Sequence, residues 1–315
     1  MNQRLHPRPA SGFECVGIGE TMIQLTPQSE GGLFASSQLA VRVAGAESTV
    51  LSYLGLLGHS VAWLSALGQD PWGDRVLAEL QNNHIDVSHV VRDSGATTGV
   101  FFKDFVPGSA RSVYYYRRDS AASRMSSTWL TSPILKTPRF IHTTGITSAL
   151  SATCRQMVDA VLAERPSGSP TVSFDVNYRP ALWAGEEAAD ILLAQARSAD
   201  VVFVGRDEAQ QLWGTGDADS VRRLLPEPSH LIVKDADIGA TSFVAGRAAT
   251  FVPAPLVEVV EPVGAGDSFA AGYLHGALIS ADESTRLEFG HALAGSALKV
   301  HGDVGPLPAS MFSTW

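Results

Sequence analysis

The sequence is poor in cysteine and in positive charge, and it has no long apolar run. Its 315 residues include only two cysteines, Cys15 and Cys154, too few for the disulfide framework of a secreted mini-domain. The net charge of −9 argues against a nucleic-acid partner, because nucleic acids are bound through Lys and Arg at the phosphates. No segment is apolar over the roughly 20 residues that a membrane-spanning helix needs. These absences favour a cytoplasmic protein that acts on small molecules and binds no membrane.

Two common kinds of site are also missing. No Gly-x4-Gly-Lys-Ser/Thr run is present, which excludes the usual P-loop for a nucleotide. The nine histidines show no zinc spacing, since even His84 and His89 are off the i, i+4 face of a helix. Residues 1–12 carry Arg4 and Arg8 with no apolar segment behind them, so we expect a loose tail rather than a signal peptide or anchor.

What the sequence does contain is an alternation of short β-rich runs with helical patterns. With 45% hydrophobic residues the chain can bury one large core, and we expect a single α/β domain over residues 13–315. The alternation predicts a mostly parallel sheet with helices on both faces. The predicted strands are Cys15–Gly19, Val61–Ala66, Phe140–Thr144, Val172–Asp175, Val201–Val204 and Leu231–Lys234. The predicted helices are Glu47–Leu57, Gly73–Asn82, Ser151–Glu164, Glu186–Arg197 and Asp207–Trp213.

One region breaks the alternation. Gly99–Val106 and Arg111–Arg117 are two strand-like runs joined by Pro107-Gly108-Ser109, which predicts a hairpin without a crossover helix. Together with residues 22–43 it would form a small β layer over the mouth of the sheet, so that the layer is discontinuous and takes residues from about 22–43 and 97–118.

The most informative stretch is the loop Glu261-Pro-Val-Gly-Ala-Gly-Asp267, which enters a helix whose apolar stripe begins at Phe269. A helix N-terminus presents unpaired N–H groups and the positive end of the helix dipole, and glycines let an anion approach them closely. The loop is therefore a candidate phosphate site. Asp267 either caps the helix or acts as a base that orients a substrate hydroxyl.

This loop, with Ala270-Ala271-Gly272-Tyr273 after it, resembles the signature of the ribokinase (PfkB-type) carbohydrate kinases. The resemblance extends over nearly the whole chain, in order and spacing, through Val16–Glu20, Ala44–Glu47, Asp175–Arg179, Val233-Lys234 and Gly302-Asp303. It implies a ribokinase-like three-layer fold with a small β lid, ATP and Mg²⁺ as cofactors, and a lid that closes on the sugar to exclude water.

Carried over residue by residue, the resemblance implies that Gly264, Ala265, Gly266 and Asp267 are catalytic, with the loop holding the phosphate and Asp267 acting as the base. Lys234 and Gly239, with Gly264 and Gly266, would bind the nucleotide. Glu208 would organise Mg²⁺ through water. Two simpler interpretations stay open, because Glu208 near a helix start could be a cap and Lys234 a solvated charge.

Within that family the chain most resembles the 2-keto-3-deoxygluconate kinases. Arg179 follows a predicted strand, at the edge of a parallel sheet where ligands bind, and could grip a carboxylate or pair with a neighbouring acid. Strand alternation sends Tyr115 and Arg117 to one face, while Tyr114 and Tyr116 are expected to serve ordinary strand packing. The substrate-binding residues implied are Gly45, Glu47, Thr49, Phe101, Tyr115, Arg117, Asn177 and Arg179.

Four positions depart from the family pattern: Glu261, Thr49, Ala236 and Gly205. Glu261 bears on a possible monovalent-cation site and Thr49 on the exact sugar. Two alternatives therefore stay beside the sugar-acid kinase, namely a fructokinase or other neutral-sugar kinase, and a sugar-acid binding protein without catalysis. A β layer with an unpaired edge further predicts a homodimer.

Overall fold

The computed structural model describes residues 12–29, 31–104, 112–163, 169–183 and 188–312. The strands are β1 (Cys15–Ile18), β2 (Met22–Pro27), β3 (Leu39–Ala44), β4 (Val61–Leu64), β5 (Ala66–Gly68), β6 (Ile85–Asp86), β7 (Val91–Asp93), β8 (Val100–Asp104), β9 (Ser112–Tyr116), β10 (Phe140–Thr144), β11 (Thr171–Asp175), β12 (Val201–Gly205), β13 (His230–Asp235), β14 (Gly239–Val244) and β15 (Thr250–Pro253). The helices are α1 (Gly32–Ala35), α2 (Ala46–Leu56), α3 (Pro71–Asn82), α4 (Gly145–Ala149), α5 (Ala152–Leu162), α6 (Ala188–Ser198), α7 (Arg206–Trp213), α8 (Ala218–Leu224), α9 (Ala265–Leu278) and α10 (Glu283–Ala297). Short 3₁₀ turns cover Ala121–Arg124, Ser127–Thr131, Pro133–Leu135, Pro180–Leu182 and Ala309–Phe312.

Within the described residues, the main sheet has nine strands in the order β15-β14-β13-β12-β11-β10-β1-β4-β6. Its strands pair in parallel from β13 to β6, and the six predicted strands all lie in this part. The antiparallel edge strands β14 and β15 were not predicted as strands. Because parallel strands end at the same edge, the loops after β1, β11, β12 and β13 meet there, where ligands bind in open α/β sheets.

Helices cover both faces of the main sheet, which gives the three layers expected. One buried cluster joins α5, α6, α7 and α8 to the sheet, with Val158 and Leu192 fully buried. The other joins α2, α3, α9 and α10, with Leu54 and Leu274 fully buried. Helix α9 is buried nearly all round, beyond the stripe that the sequence predicts, because α2 and α10 pack on it. No helix in the described part of the chain is long and apolar enough to cross a bilayer.

A second sheet, which we call the lid sheet, has the order β3-β2-β8-β9. Its hairpin arms β8 and β9 pair antiparallel, with Phe101 opposite Tyr115, and β8 joins β2 in parallel. The predicted turn at 107–109 and the predicted tail, except Gly12, lie outside the described residues. The expectation of one domain over residues 13–315 stays a prediction.

Candidate active site

The loop before α9 is shaped as an anion-binding turn. Gly264 is the N-cap residue and has a φ of +85°, a left-handed value that favours glycine. A Cβ at Gly264 would lie 3.0 Å from Cα of Asp303, and one at Gly266 would lie 3.3 Å from Nζ of Lys234. The N-cap residue Gly264 has no side chain to accept a hydrogen bond from the first N–H groups of α9, so within the described residues these groups are available to an anion.

Asp267, in the first turn of α9, is 8% exposed and is held from outside its own helix. Its Oδ1 accepts a 2.8 Å hydrogen bond from the side-chain amide of Asn177. Burial, helped by the neighbouring carboxylate of Asp175, raises the pKa of Asp267 to about 7, against the pull of Arg179 and Lys234. A carboxylate with this pKa can accept a proton near neutral pH.

Lys234, at the end of β13, forms a 2.7 Å ion pair with Asp175, at the end of β11. It is therefore paired rather than solvated. Burial works to lower the pKa of Lys234, but Asp175 and Glu208 outweigh it and raise that pKa, so the ammonium stays charged. The pair stands beside Gly266 and places a fixed cation next to the anion-binding turn.

Glu208 is part of the structure of α7 as well as of the cavity wall. Its two carboxylate oxygens accept N–H bonds from Gly205 at 2.8 Å and from Tyr178 at 3.1 Å. The capping interpretation therefore describes its local role, and burial raises its pKa. The described residues contain no group of three or more acidic, His or Cys side chains able to hold a metal directly. A Mg²⁺ ion in this cavity would have to come with the phosphates of a nucleotide, and Glu208 is the carboxylate predicted to hold water around it.

One cavity of about 1070 Å³ brings most of the predicted site together between the main sheet and the lid sheet. Its lining includes these predicted residues: Gly45, Phe101, Tyr115, Arg117, Arg179, Glu208, Lys234, Gly239, Gly264, Ala265, Gly266 and Asp267. Three predicted substrate residues do not line it. Asn177 supports Asp267 instead, Thr49 is buried in α2, and Glu47 is fully buried where Thr144 and Thr147 donate to its Oε1.

The arginines of the cavity differ in how they are held. Glu20 accepts hydrogen bonds from Arg117 through Nε at 2.7 Å and through Nη2, and Ser120 donates to the same carboxylate. Arg179 is exposed and forms no ion pair within the described residues. The structure thus leaves Arg179 able to receive an anionic ligand, while one edge of Arg117 is already occupied.

Sequence reasoning missed four side chains that the structure places at the site. Asp175 and Glu20 stand in the blocks that carry the family resemblance, but their ion pairs with residues far along the chain have no sequence signal. Lys103 could have been found, because alternation from Phe101 sends it to the same face of β8. Asp303, which packs on Gly264, also lies in a family block without a role of its own.

Comparison with known proteins agrees with this geometry. The model of the pfkB family carbohydrate kinases matches residues 13–310. The chain belongs to this family. Relatives include a 2-dehydro-3-deoxygluconokinase of Bacillus subtilis, 32% identical with 94% of this chain and 93% of that protein covered. A 2-dehydro-3-deoxygalactonokinase of Haloferax volcanii is 31% identical, with 92% of each chain covered. The solved PfkB protein of Polaromonas sp. JS666 is 31% identical and superposes with a TM-score of 0.86 over 96% of this chain and 100% of that chain.

As a pfkB family carbohydrate kinase, the chain is a phosphotransferase that acts on a sugar hydroxyl. Its fold is the ribokinase-like α/β fold expected from the resemblance. The anion-binding turn and Asp267 lie in the same cavity, which is the arrangement that such a transfer requires.

Proposed function

We propose that this pfkB family kinase transfers the γ-phosphate of ATP to a hydroxyl of a sugar acid, 2-keto-3-deoxygluconate or a close stereoisomer. 2-Keto-3-deoxygluconate and 2-dehydro-3-deoxygluconate are two names for the same sugar acid, and the second name appears in the name of the Bacillus subtilis relative. The observation that carries the proposal is the position of Asp267 beside the anion-binding turn, in one cavity with Arg179.

In the proposed reaction the substrate hydroxyl lies between Asp267 and the γ-phosphate. Its oxygen forms the new bond to phosphorus as the bond to the bridging oxygen breaks, and ADP leaves with that electron pair. The hydroxyl proton passes to the carboxylate of Asp267. Because the transition state of phosphoryl transfer is loose, Asp267 acts first by orienting the hydroxyl and accepts the proton late.

The turn and its neighbours supply the electrostatics for this step. The N–H groups of α9 and the ammonium of Lys234 face the phosphates, already fixed in place before the reaction. ATP would lie across Gly264–Gly266 toward Gly239, with Mg²⁺ on its phosphates and Glu208 holding water. When bound, Mg²⁺ supplies positive charge to the phosphate oxygens.

Arg179 supports an acid rather than a neutral sugar. Its coulombic interaction with Asp267 places the guanidinium near the reaction centre, where an arginine gains most from a bidentate carboxylate. One observation favours the alternative of a fructokinase or other neutral-sugar kinase. Glu20 pairs with Arg117 and Asp235 pairs with Arg206, so among the described cavity residues Arg179 is the one arginine without an acidic partner.

The test is ATP-dependent phosphorylation of 2-keto-3-deoxygluconate, its galacto epimer, fructose and ribose. We expect turnover of the keto-deoxy acids only, lost in Asp267→Asn. Arg179→Ala should raise KM for the acid by about 10- to 100-fold, the value of a charge-assisted bidentate contact, with kcat less affected. Efficient use of fructose by the wild type, unaffected by Arg179→Ala, would establish the neutral-sugar kinase. No turnover with any sugar, and no ATP-dependent rise in Tm, would favour the binding protein without catalysis.

Assembly and location are proposals of the same kind. We propose a cytoplasmic homodimer joined through the lid sheet, whose edge strand β9 exposes Tyr114 and Tyr116 on its outer side. Light scattering at micromolar concentration measures the oligomeric state directly, and a monomer at that concentration would contradict the proposed dimer.

A monovalent cation near Glu261 is proposed as an activator, tested by comparing rates in potassium and in tetramethylammonium salts.

A further inference from the structure

Lys103 is a cation of the active-site cavity to which neither the family resemblance nor the proposed mechanism gives a role. It lies on β8 two residues beyond Phe101, and both side chains face the cavity. Its side chain is only 9% exposed, although lysine is almost never buried unless it is paired. A buried ammonium in a phosphotransferase cavity needs an explanation.

One acidic side chain close to Lys103 is Asp303, and this particular contact is loose. The ammonium nitrogen lies 4.0 Å from Oδ1 of Asp303, beyond hydrogen-bonding distance. That oxygen is buried and accepts no hydrogen bond from any described residue. By comparison, the nitrogen–oxygen distance of the Lys234–Asp175 ion pair in the same cavity is 2.7 Å, which is within hydrogen-bonding distance.

Asp303 stands directly against the anion-binding turn. A Cβ built on Gly264 would lie 3.0 Å from its Cα and 3.3 Å from its Cγ. The turn therefore has one lysine–aspartate pair on each side: Lys234 with Asp175 beside Gly266, and Lys103 with Asp303 beside Gly264. The first pair joins two strands of the main sheet, whereas the second joins the lid sheet to the segment after α10.

We propose that Lys103 is a further catalytic residue, which leaves Asp303 for the transferring phosphoryl group when ATP and sugar fill the cavity. Lysine suits this role because it is a compact charge on a flexible four-carbon chain. A phosphoryl group with two or more negative charges attracts an ammonium more strongly than the Asp303 carboxylate does at 4.0 Å. Asp303 holds the ammonium in the absence of substrate and keeps a buried charge compensated. Lys103 forms no covalent bond and gives up no proton.

The proposal rests on phosphoryl transfer at the Gly264–Asp267 loop but not on the identity of the sugar. Its test therefore uses whichever sugar the wild type phosphorylates, and ATP·Mg²⁺ affinity by calorimetry if it phosphorylates none. Lys103→Met keeps the length and flexibility of the side chain and removes the charge. We expect kcat to fall by about 100-fold or more, with KM for the sugar within about threefold of the wild type. Lys136→Met, an exposed lysine outside the cavity, is the matched control and should leave kcat unchanged.

Chemical rescue separates a missing charge from a disturbed fold. Lys103→Cys treated with 2-bromoethylamine becomes a lysine analogue, whereas iodoacetamide adds a neutral arm. The background is low because Cys15 and Cys154 are buried, and burial raises the pKa of their thiols to about 12 and about 11. The amine reagent alone should restore kcat at least tenfold. If mass spectrometry shows that the introduced cysteine is not alkylated, the kcat of Lys103→Met alone tests the proposal.

Asp303→Asn distinguishes two roles for Lys103. Lys103 either binds phosphate, or it only holds the lid sheet to the segment after α10 through its contact with Asp303, which we call the latch role. If Lys103 leaves Asp303 for phosphate, removing the competing carboxylate should lower KM for ATP, or its Kd where no sugar is turned over. If Lys103 has only the latch role, Asp303→Asn and Lys103→Met should lose activity to the same extent, and the double variant should be no less active than either single variant. That result would overturn the proposal, as would a kcat of Lys103→Met within about threefold of the wild type. With no turnover, ATP·Mg²⁺ affinity unchanged in Lys103→Met would do the same.

Discussion

The side-chain amide of Asn177 donates a 2.8 Å hydrogen bond to the carboxylate of Asp267, 90 residues away in the sequence. Asn177 has a φ of +40°, a left-handed conformation that asparagine tolerates better than most residues. The backbone turn after β11 thus delivers the amide to the first turn of α9. The contact stabilises the ionised form of the carboxylate that we propose as the base.

Asn177→Gly keeps the left-handed backbone and removes the amide. Loss of a hydrogen bond to a charged group disfavours ionisation, so the pKa of Asp267 should rise by about one unit. The acid limb of kcat/KM should move to higher pH by the same amount, while kcat well above the limb falls less. A pH profile from 5 to 9 measures the shift, and an unmoved limb would show that Asn177 does not tune Asp267.

The acid limb itself should lie near neutrality in the wild type. Burial and Asp175 raise the pKa of Asp267 to about 7, and only the ionised form can accept the hydroxyl proton. Since kcat/KM reports the free enzyme, it should fall about tenfold for each pH unit below the limb. Glu47 is the competing explanation, because burial also raises its pKa to about 7 despite hydrogen bonds from Thr147 and Thr144. Glu47→Gln should therefore keep the limb, and its disappearance in that variant would assign the titration to Glu47.

Arg117 and Glu20 form a buried ion pair whose disruption should cost stability as well as substrate affinity. Both side chains are nearly buried, at 9% and 1% exposed. Arg117→Ala leaves Glu20 with Ser120 as its hydrogen-bond donor among the described residues, and an uncompensated buried carboxylate typically costs about 3–5 kcal/mol. Adding Glu20→Gln should recover a large part of that loss in urea unfolding. A double variant as unstable as the sum of the two single variants would mean that the pair is not coupled.

The same pair shows where sequence reasoning reaches its limit. Apolar runs such as Val201–Val204 specified the parallel strands, and the glycine turn before Asp267 specified a helix N-terminus, because both signals are local. Arg117 was predicted on the cavity face from strand alternation, and it lies there. Its pairing with Glu20 joins residues 97 positions apart, and no local pattern encodes which acid meets which base. Lys234 was predicted at the nucleotide site, but its pairing with Asp175 could not be predicted, for the same reason.

Family resemblance also fails to place side chains where an element is buried on every side. Glu47 and Thr49 follow Gly45 in a block that resembles a sugar site, but α2 is buried along most of its length. Its first turn directs Glu47 toward Thr144 and Thr147 rather than into the cavity. Sequence position alone could not separate a cavity wall from the layer beneath it.

Ala236, in the turn between β13 and β14, is one of the four positions where the sequence departs from the family pattern that it resembles. Its φ is +42°, a left-handed value that costs a residue with a Cβ about 1–2 kcal/mol. Ala236→Gly relieves that strain but adds freedom to the unfolded chain, which costs about 0.5–1 kcal/mol. The net effect should be stabilisation by about 0.5–1 kcal/mol, seen as a rise in Tm of roughly 1–2 °C.

Ala194→Gly, at an exposed position inside α6, is the control. It is the same chemical change on a helical backbone and should lower Tm instead. Opposite signs for the two variants would locate the effect in the backbone of this turn. A fall in Tm for both would show that the turn carries no strain.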